Sequence, residues 1–110
     1  MTVNVLGTEY EIILDAPDEM LPEGADGAMD QTTKRITIAK FTESRDSLKG
    51  IKEYQKKVLR HEIIHAFLYE SGIWNNSGNI EAWGRSEEIT DWIAIQFPKI
   101  QKAFEEAGAI

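Results

Sequence analysis

The sequence contains no cysteine, and only two histidines and three prolines occur among its 110 residues. Without cysteine the chain can form neither a disulfide framework nor a zinc site built on thiolates. No apolar run approaches the length of a membrane-spanning helix, and the first residues lack the charged and hydrophobic regions of a signal peptide. We therefore expect a cytoplasmic protein that has no membrane partner.

Positive charge is also scarce, because 12 Lys and Arg residues stand against 19 Asp and Glu residues, which gives a net charge of −7. An acidic surface repels the phosphate backbone, so we expect no nucleic-acid partner. The other proportions, 42% hydrophobic and 28% charged, are ordinary for a globular protein. The length predicts a single domain over residues 1–110.

Both histidines fall in one short motif, His61-Glu62-Ile63-Ile64-His65. Residues four apart on an α-helix lie on one face about one turn apart, so the two imidazoles can bind the same cation. His-Glu-x-x-His on a helix is the first half of a zinc-peptidase site. Glu62 lies too far round the helix to share in ligation, but it can take a proton from a water that the metal activates.

A catalytic zinc normally has three protein ligands, and this chain has no third histidine and no cysteine to offer. The remaining ligand must then be a carboxylate, and Glu87, Glu88 and Asp91 are the candidates. Glu87 and Asp91 are four apart, so Glu87 could bind the metal while Asp91 accepts the ring N–H of a ligating histidine. Glu88 and Asp91 are three apart, which leaves Glu88 as an alternative third ligand.

The sequence predicts strands and loops in the amino-terminal half. Alternating residues predict a hairpin from Val3–Leu6 and Tyr10–Leu14. Two prolines and two glycines in Asp15–Gln31 favour a long loop, with a helical turn at Asp18–Leu21. Lys34–Lys40 alternates polar and apolar residues between terminal lysines, which indicates an edge strand that could pair with an extended substrate.

The longest predicted helix runs from Ile51 to about Glu70, with Asp46 or Ser47 as its N-cap and Ser71-Gly72 as its end. Its HEIIHAFL segment is apolar nearly all round, which is typical of a helix buried on most sides. The loop Ile73–Arg85 follows. Its two tryptophans, Trp74 and Trp83, could line a cleft, although we expect them to pin the loop to the core.

A second helix is predicted from Ser86 as N-cap. Its inner face consists of apolar residues and one glutamine at helical spacing: Ile89, Trp92, Ile93, Gln96 and Phe97. Pro98 should break or kink this helix, and we expect a short last helix over Lys99–Ala107 that Gly108 terminates. The fold class is therefore α+β, a small antiparallel or mixed sheet of hairpin plus edge strand, packed on the central motif helix and the carboxyl-terminal helices.

The segment HEIIHAFLYESGI, followed by SEEITDWIAIQFPKI, resembles small zincin-like metallopeptidases of phages and prophages. It also resembles, more distantly, the ImmA/IrrE-type peptidases of mobile elements, and the likeness covers residues 51–105. In the gluzincin group the second signature is Asn-Glu-x-x-x-Asp, which implies that Glu87 is the third ligand and Asp91 supports the site, with Ser86 replacing the Asn. The ImmA/IrrE pattern Glu-Ala-Asn-x-Phe-Ala instead matches Glu88 with Trp92.

The resemblance implies a phage-encoded metallopeptidase that holds one zinc ion per chain and hydrolyses a peptide or protein substrate, with Glu62 as general base. An additional oxyanion donor is expected, and Tyr54, Tyr69 and Arg85 are candidates that their spacing does not separate. Two alternatives differ in function. One is a regulatory or interaction module of a mobile element that keeps the zinc-binding fold without turnover, and the other is a zinc hydrolase of a non-peptide amide. The presence of Glu62 favours an enzyme.

Overall fold

The amino-terminal hairpin forms around the turn Leu6-Gly7. In the computed structural model, which describes residues 1–42, 50–76, 78–79 and 82–110, β1 (Thr2–Val5) pairs antiparallel with β2 (Thr8–Ala16). Both turn residues have positive φ angles, 51° at Leu6 and 94° at Gly7, the geometry of a tight two-residue hairpin turn. The predicted hairpin is confirmed, and β2 extends two residues beyond each end of the predicted Tyr10–Leu14.

The predicted loop over 15–31 contains a strand that the sequence pattern did not indicate. The expected helical turn is present as a 3₁₀ helix at Asp18–Met20, but β3 (Gly27–Asp30) then forms a second hairpin with β4 (Arg35–Ala39). The Asp30 carboxylate accepts hydrogen bonds from the backbone N–H and hydroxyl of Thr32, at 2.8 and 2.6 Å, and so shapes the turn. A four-residue strand is too short to show a clear alternation of polar and apolar residues, and this segment was therefore predicted to be a loop.

Strand β4 lies inside the sheet. Within the described residues the strand order is β1-β2-β4-β3, with β4 parallel to β2 and antiparallel to β3. The prediction that Lys34–Lys40 is an edge strand is therefore wrong, and β3 occupies that edge instead. Residues 36–39 of β4 are all buried, as expected for a strand with neighbours on both sides.

The core lies between one face of the sheet and the first helix, α1 (Ile51–Glu70). Four sheet residues in it are completely shielded from solvent: Val5, Tyr10, Ile36 and Ile38. Val58 and Ala66 of α1 pack against them. The predicted bounds of α1 are confirmed, whereas the proposed N-caps Asp46 and Ser47 lie outside the described residues. The motif segment is buried on most sides, as expected, and Phe67 is its one exposed residue.

The second helix, α2 (Glu87–Glu106), continues through Pro98, so the prediction of a separate last helix over Lys99–Ala107 is wrong. Proline has no N–H to give to the carbonyl four residues earlier, which here is that of Ala94. The side chain of Arg60 on α1 supplies the missing donor, because its Nε lies 2.6 Å from the Ala94 oxygen. A cation on a neighbouring helix thus replaces the backbone hydrogen bond that proline removes.

The buried residues of α2, the helix that packs against α1, are small. Thr90 and Ala94 are fully buried, whereas Trp92 is 58% exposed and Phe97 48% exposed. The predicted inner face is therefore wrong at Trp92 and Phe97, and also at Ile89, which is exposed. Small side chains at a helix contact allow the two backbones to approach closely, and this geometry turns the side of α2 that bears Asp91 towards α1.

The α+β class is confirmed, since the described residues form one mixed sheet of four strands with two long helices. Neither α1 nor α2 has the length and apolar character that crossing a bilayer requires, and the same holds throughout the described ranges. The specifically zincin-like part of the prediction stays a prediction.

A half-buried carboxylate ties the carboxyl end of α1 to the sheet. The oxygens of Glu70 accept hydrogen bonds from the Thr8 hydroxyl at 2.8 Å, the Tyr10 hydroxyl at 2.8 Å and the Lys34 ammonium at 2.9 Å. The bond from Lys34, followed by those from the two hydroxyls, lowers the pKa of Glu70 despite the opposing effect of burial. Burial and the same carboxylate raise the pKa of Tyr10.

We predict that the variant Arg60→Ala loses about 1–2 kcal/mol of unfolding free energy, because the Ala94 carbonyl then has no side-chain donor. In a Pro98→Ala background the same change should cost clearly less, since residue 98 regains an N–H for that carbonyl. Urea unfolding of the four proteins of this double-mutant cycle measures the difference. An equal cost in both backgrounds would contradict this account.

We also predict that Glu70→Gln lowers the unfolding free energy at neutral pH by about 1–2 kcal/mol, through weaker charge-assisted hydrogen bonds. Because the pKa of Glu70 is lower in the folded state, its charge stabilises the fold above the ordinary carboxyl value of 4.5. That contribution is lost as the pH falls through the folded pKa. Urea titrations between pH 7 and pH 3 should therefore show the wild type and the variant converging in acid.

Candidate metal centre

Helix α1 presents both imidazoles of the motif on one side. His61 is half-buried and His65 is buried, and their rings lie edge to face with centroids 4.7 Å apart. This is the arrangement expected of helical residues four apart. Glu62 lies on an adjacent side of the helix and is also buried. The sequence therefore fixes the mutual placement of these three side chains.

Helix α2 adds a carboxylate from its first turn. Ser86 caps the helix, as predicted, and its hydroxyl accepts the backbone N–H of Ile89 at 3.2 Å. Glu87 follows at once, and its Oε1 lies 3.3 Å from Nε2 of His61 and also contacts Nε2 of His65. Ligand atoms of the three residues all lie within 4.8 Å of one another, so the group could hold one metal ion.

The structure separates the two acids that the sequence left open. Glu87 meets both imidazoles, whereas Glu88 belongs to no metal-binding group among the described residues. Adjacent positions on a helix point about 100° apart, so only one of the two can face α1. Ligation by Glu87 stays a prediction, but the geometry favours it over Glu88.

Asp91 lies behind His61. Its Oδ1 is 3.0 Å from Nδ1 of His61 and 3.0 Å from the Lys57 ammonium. Burial alone would raise the pKa of Asp91, but the hydrogen bonds from Lys57 and His61 outweigh it and lower that pKa. An ionised Asp91 accepts the Nδ1 proton of His61, which leaves the lone pair of Nε2 directed at Glu87.

The donor set fits a cation. A lone pair on Nε2 of His61 facing an oxygen of Glu87 is repulsive unless a proton or a metal ion lies between them. Burial lowers the pKa of His65, which favours the neutral imidazole that metal ligation needs. Two neutral nitrogens and one carboxylate oxygen are a ligand set typical of catalytic zinc. Nδ1 of His65 is buried and has no hydrogen-bond partner among the described residues.

Glu62 has the environment of a proton-transfer group. Burial raises its pKa from the ordinary 4.5 to about 7; the neighbouring His61 opposes this shift and the charge of Glu87 adds to it. A carboxyl group that titrates near neutral pH can both accept and return a proton.

Two cavities flank the three converging side chains. One, of about 240 Å³, is lined by Asp26, Tyr54, Lys57 and His61, and the other, of about 400 Å³, by Met29, Trp74, Arg85 and His65. Gly27, Glu62 and Glu87 line both cavities, so the two are halves of one cleft. We call them the Tyr54 side and the Trp74 side.

Strand β3 reaches the cleft because residue 27 is glycine. A Cβ atom there would lie 2.9 Å from Cγ1 of Val58 and 3.1 Å from Cγ of Glu62, closer than side chains tolerate. The strand can therefore lie directly against α1 at the level of Glu62. Sequence analysis placed Gly27 in a loop, and no local pattern indicates that the backbone at this residue lies close to α1.

The structure also separates the three candidate oxyanion donors. Arg85 lines the Trp74 side, and Tyr54 lines the other side but donates its hydroxyl to Asp26, which raises the pKa of Tyr54 to about 12. Within the described residues Tyr69 lines neither half of the cleft.

The two tryptophans differ from the expectation that both pin the loop. Trp74 lines the cleft and packs edge-on against His65, with ring centroids 5.7 Å apart, whereas Trp83 is 54% exposed. Cleft lining, the other option for these residues, therefore describes Trp74.

Comparisons with protein families, with curated proteins and with solved structures gave no match. Inferences about function therefore rest on the geometry and chemistry of His61, Glu62, His65, Glu87 and Asp91 and on the cleft around them.

Proposed function

We propose that this protein is a zinc-dependent peptidase whose metal ligands are His61, His65 and Glu87. The observation that carries the proposal is the meeting of Nε2 of both histidines at Oε1 of Glu87, at one wall of an open cleft. Three protein ligands leave a fourth position for water or substrate, which distinguishes a catalytic from a structural zinc site. A buried carboxyl group, Glu62, lines the same cleft.

Zinc bound here would make water acidic near neutral pH and polarise the scissile carbonyl. Glu62 takes the proton from the attacking water and later delivers it to the leaving amine, so that the peptide C–N bond breaks without releasing an unstable anion. Asp91 keeps the Nδ1 proton on His61 and so holds this imidazole in the tautomer that ligates through Nε2. Lys57 in turn holds Asp91 ionised.

The substrate is proposed to bind as an extended strand beside β3. This strand is at an edge of the sheet as described, and its residues Gly27 and Ala28 line the cleft together with Glu62. An exposed strand edge offers backbone N–H and C=O groups that a peptide can pair with, while its side chains enter neighbouring pockets. The sequence had suggested this role for Lys34–Lys40, and β3 takes it over because β4 lies inside the sheet.

We predict about one zinc ion per purified wild-type chain, measured by plasma emission spectrometry after dialysis. His65→Ala and Glu87→Ala should lose most of this zinc at the same total concentration, because each removes one of three ligands. Glu88→Ala is the matched control and should keep it. Equal zinc retention in the two glutamate variants would contradict ligation by Glu87, and a folded wild type without zinc would exclude the proposed function.

We further predict that Glu62→Gln keeps the fold and the zinc but loses about 10²–10⁴-fold in the rate of peptide hydrolysis, the usual contribution of a general base. Cleavage of a denatured protein, followed by mass spectrometry, measures the loss. Glu88→Gln removes the same charge outside the group of ligands and should cleave like the wild type. Undiminished cleavage by Glu62→Gln would argue against the assigned role.

A further inference from the structure

The two sides of the cleft differ in charge and polarity. The Tyr54 side carries Asp26 and the ion pair of Lys57 with Asp91. On the Trp74 side the walls beyond the shared residues are Ala28, Met29, His65, Trp74 and Arg85, so this half adds a single permanent cation and mainly apolar surface to the shared carboxyl groups of Glu62 and Glu87. The chain has seven more acidic than basic residues, so we ask which anionic group a cation in this pocket would bind.

Arg85 is held in position by Trp74. Its Nε donates to the backbone oxygen of Trp74 at 3.0 Å, and its Cζ lies 5.3 Å from the centre of the indole ring. Since Trp74 packs against His65, the guanidinium is fixed beside the proposed metal centre. Its two terminal nitrogens form a planar pair of donors, which matches the two oxygens of a carboxylate.

Arg85 differs from Lys57 and Lys34 in what balances its charge. Lys57 pairs with Asp91 at 3.0 Å and Lys34 with Glu70 at 2.9 Å. Arg60 resembles Arg85 in that its Nε donates to a backbone carbonyl, here that of Ala94, but Arg60 lines neither half of the cleft. Among the residues that the structure describes, Arg85 has no carboxylate within ion-pair distance. Part of the pocket wall is apolar, so an anion that enters it would interact with Arg85 more strongly than in open water.

The direction of β3 indicates which part of a substrate meets Arg85. The strand runs from Gly27, where the two sides of the cleft meet, to Met29 on the Trp74 side. A peptide paired antiparallel to β3, the more stable arrangement, places residues on the amino-terminal side of the scissile bond there. A peptide paired parallel would instead place its carboxyl-terminal residues there.

We propose that Arg85 binds a substrate carboxylate on the Trp74 side of the cleft and so gives the peptidase a preference for acidic peptides. With antiparallel pairing this carboxylate is the side chain of Asp or Glu upstream of the cleaved bond. With parallel pairing it is the terminal carboxylate of the peptide. The preference rests on the proposed peptidase function, whereas the anion-binding pocket itself does not.

The test starts from a peptide that the wild type cleaves, selected from a digest of denatured protein by mass spectrometry. It is then synthesised in three forms: unchanged, with upstream Asp or Glu replaced by Asn or Gln, and with an amidated carboxyl terminus. Loss of a charge-assisted carboxylate contact should lower kcat/KM about tenfold or more, chiefly through KM, for one of the two altered forms. Which form is affected identifies the source of the carboxylate.

The variant Arg85→Gln should cleave the unchanged and altered peptides at equal rates. Arg35→Gln is the matched control, since Arg35 pairs with Glu11 at 3.4 Å away from the cleft and its loss changes the net charge by the same amount. This control should keep the preference, and high salt should weaken it in the wild type. Equal preference in the wild type and Arg85→Gln, or none in the wild type, would overturn the proposal.

A binding measurement separates failure of this proposal from failure of the peptidase function. N-acetylglutamate methylamide and its glutamine counterpart are titrated into the wild type in zinc-containing buffer, and the Arg85 Nε–H signal is followed by NMR. We expect a saturable shift with the acid alone. If the acid shifts the signal while no peptide is cleaved, the anion-binding pocket is supported and the peptidase function is rejected. If peptides are cleaved but neither compound shifts the signal, the pocket assignment is wrong.

Discussion

Helix α2 packs against α1 with Thr90 and Ala94 as its buried residues, and this packing decides where Glu87 and Asp91 lie relative to the two histidines. Arg60 strengthens it by donating to the Ala94 carbonyl, while Lys57 and His61 both reach Asp91. The same interactions that join the helices therefore orient the candidate metal ligands. Pro98 takes part in this arrangement, because it leaves the Ala94 carbonyl open to Arg60.

The sheet contributes the other wall of the cleft. Strand β3 approaches α1 at Gly27, where the lack of a side chain leaves room for Val58 and Glu62. The cleft thus has a backbone edge on one side and, on the other, the two helices that carry the candidate metal ligands. Its two halves are chemically different, since Asp26 and Tyr54 line one and Arg85 and Trp74 the other. If the protein is the proposed peptidase, this difference would give a bound peptide a preferred direction and a preferred charge.

Sequence reasoning succeeded where the controlling interactions are local. The spacing of His61 and His65 follows from helix geometry alone, and the bounds of α1 follow from an unbroken run without proline or glycine. It failed where a partner distant in sequence decides the outcome. Pro98 was interpreted as a helix end because no residue near it in sequence indicates that Arg60 can act as a substitute donor. Strand β4 was interpreted as an edge strand because its neighbour β3 is too short to be recognised from the sequence.

The sequence by itself determined the α+β class, the hairpin at Gly7, and the placement of His61, Glu62 and His65 close together on one helix. Only the tertiary structure showed that Glu87 lies beside the two histidines and Glu88 does not, since both acids lie in the same first turn and their directions depend on how α2 is rotated against α1. It also decided that Trp74 and Arg85 belong to the cleft. Periodicity reports which residues share a face of one element, whereas a cleft is made by faces of different elements that meet in space.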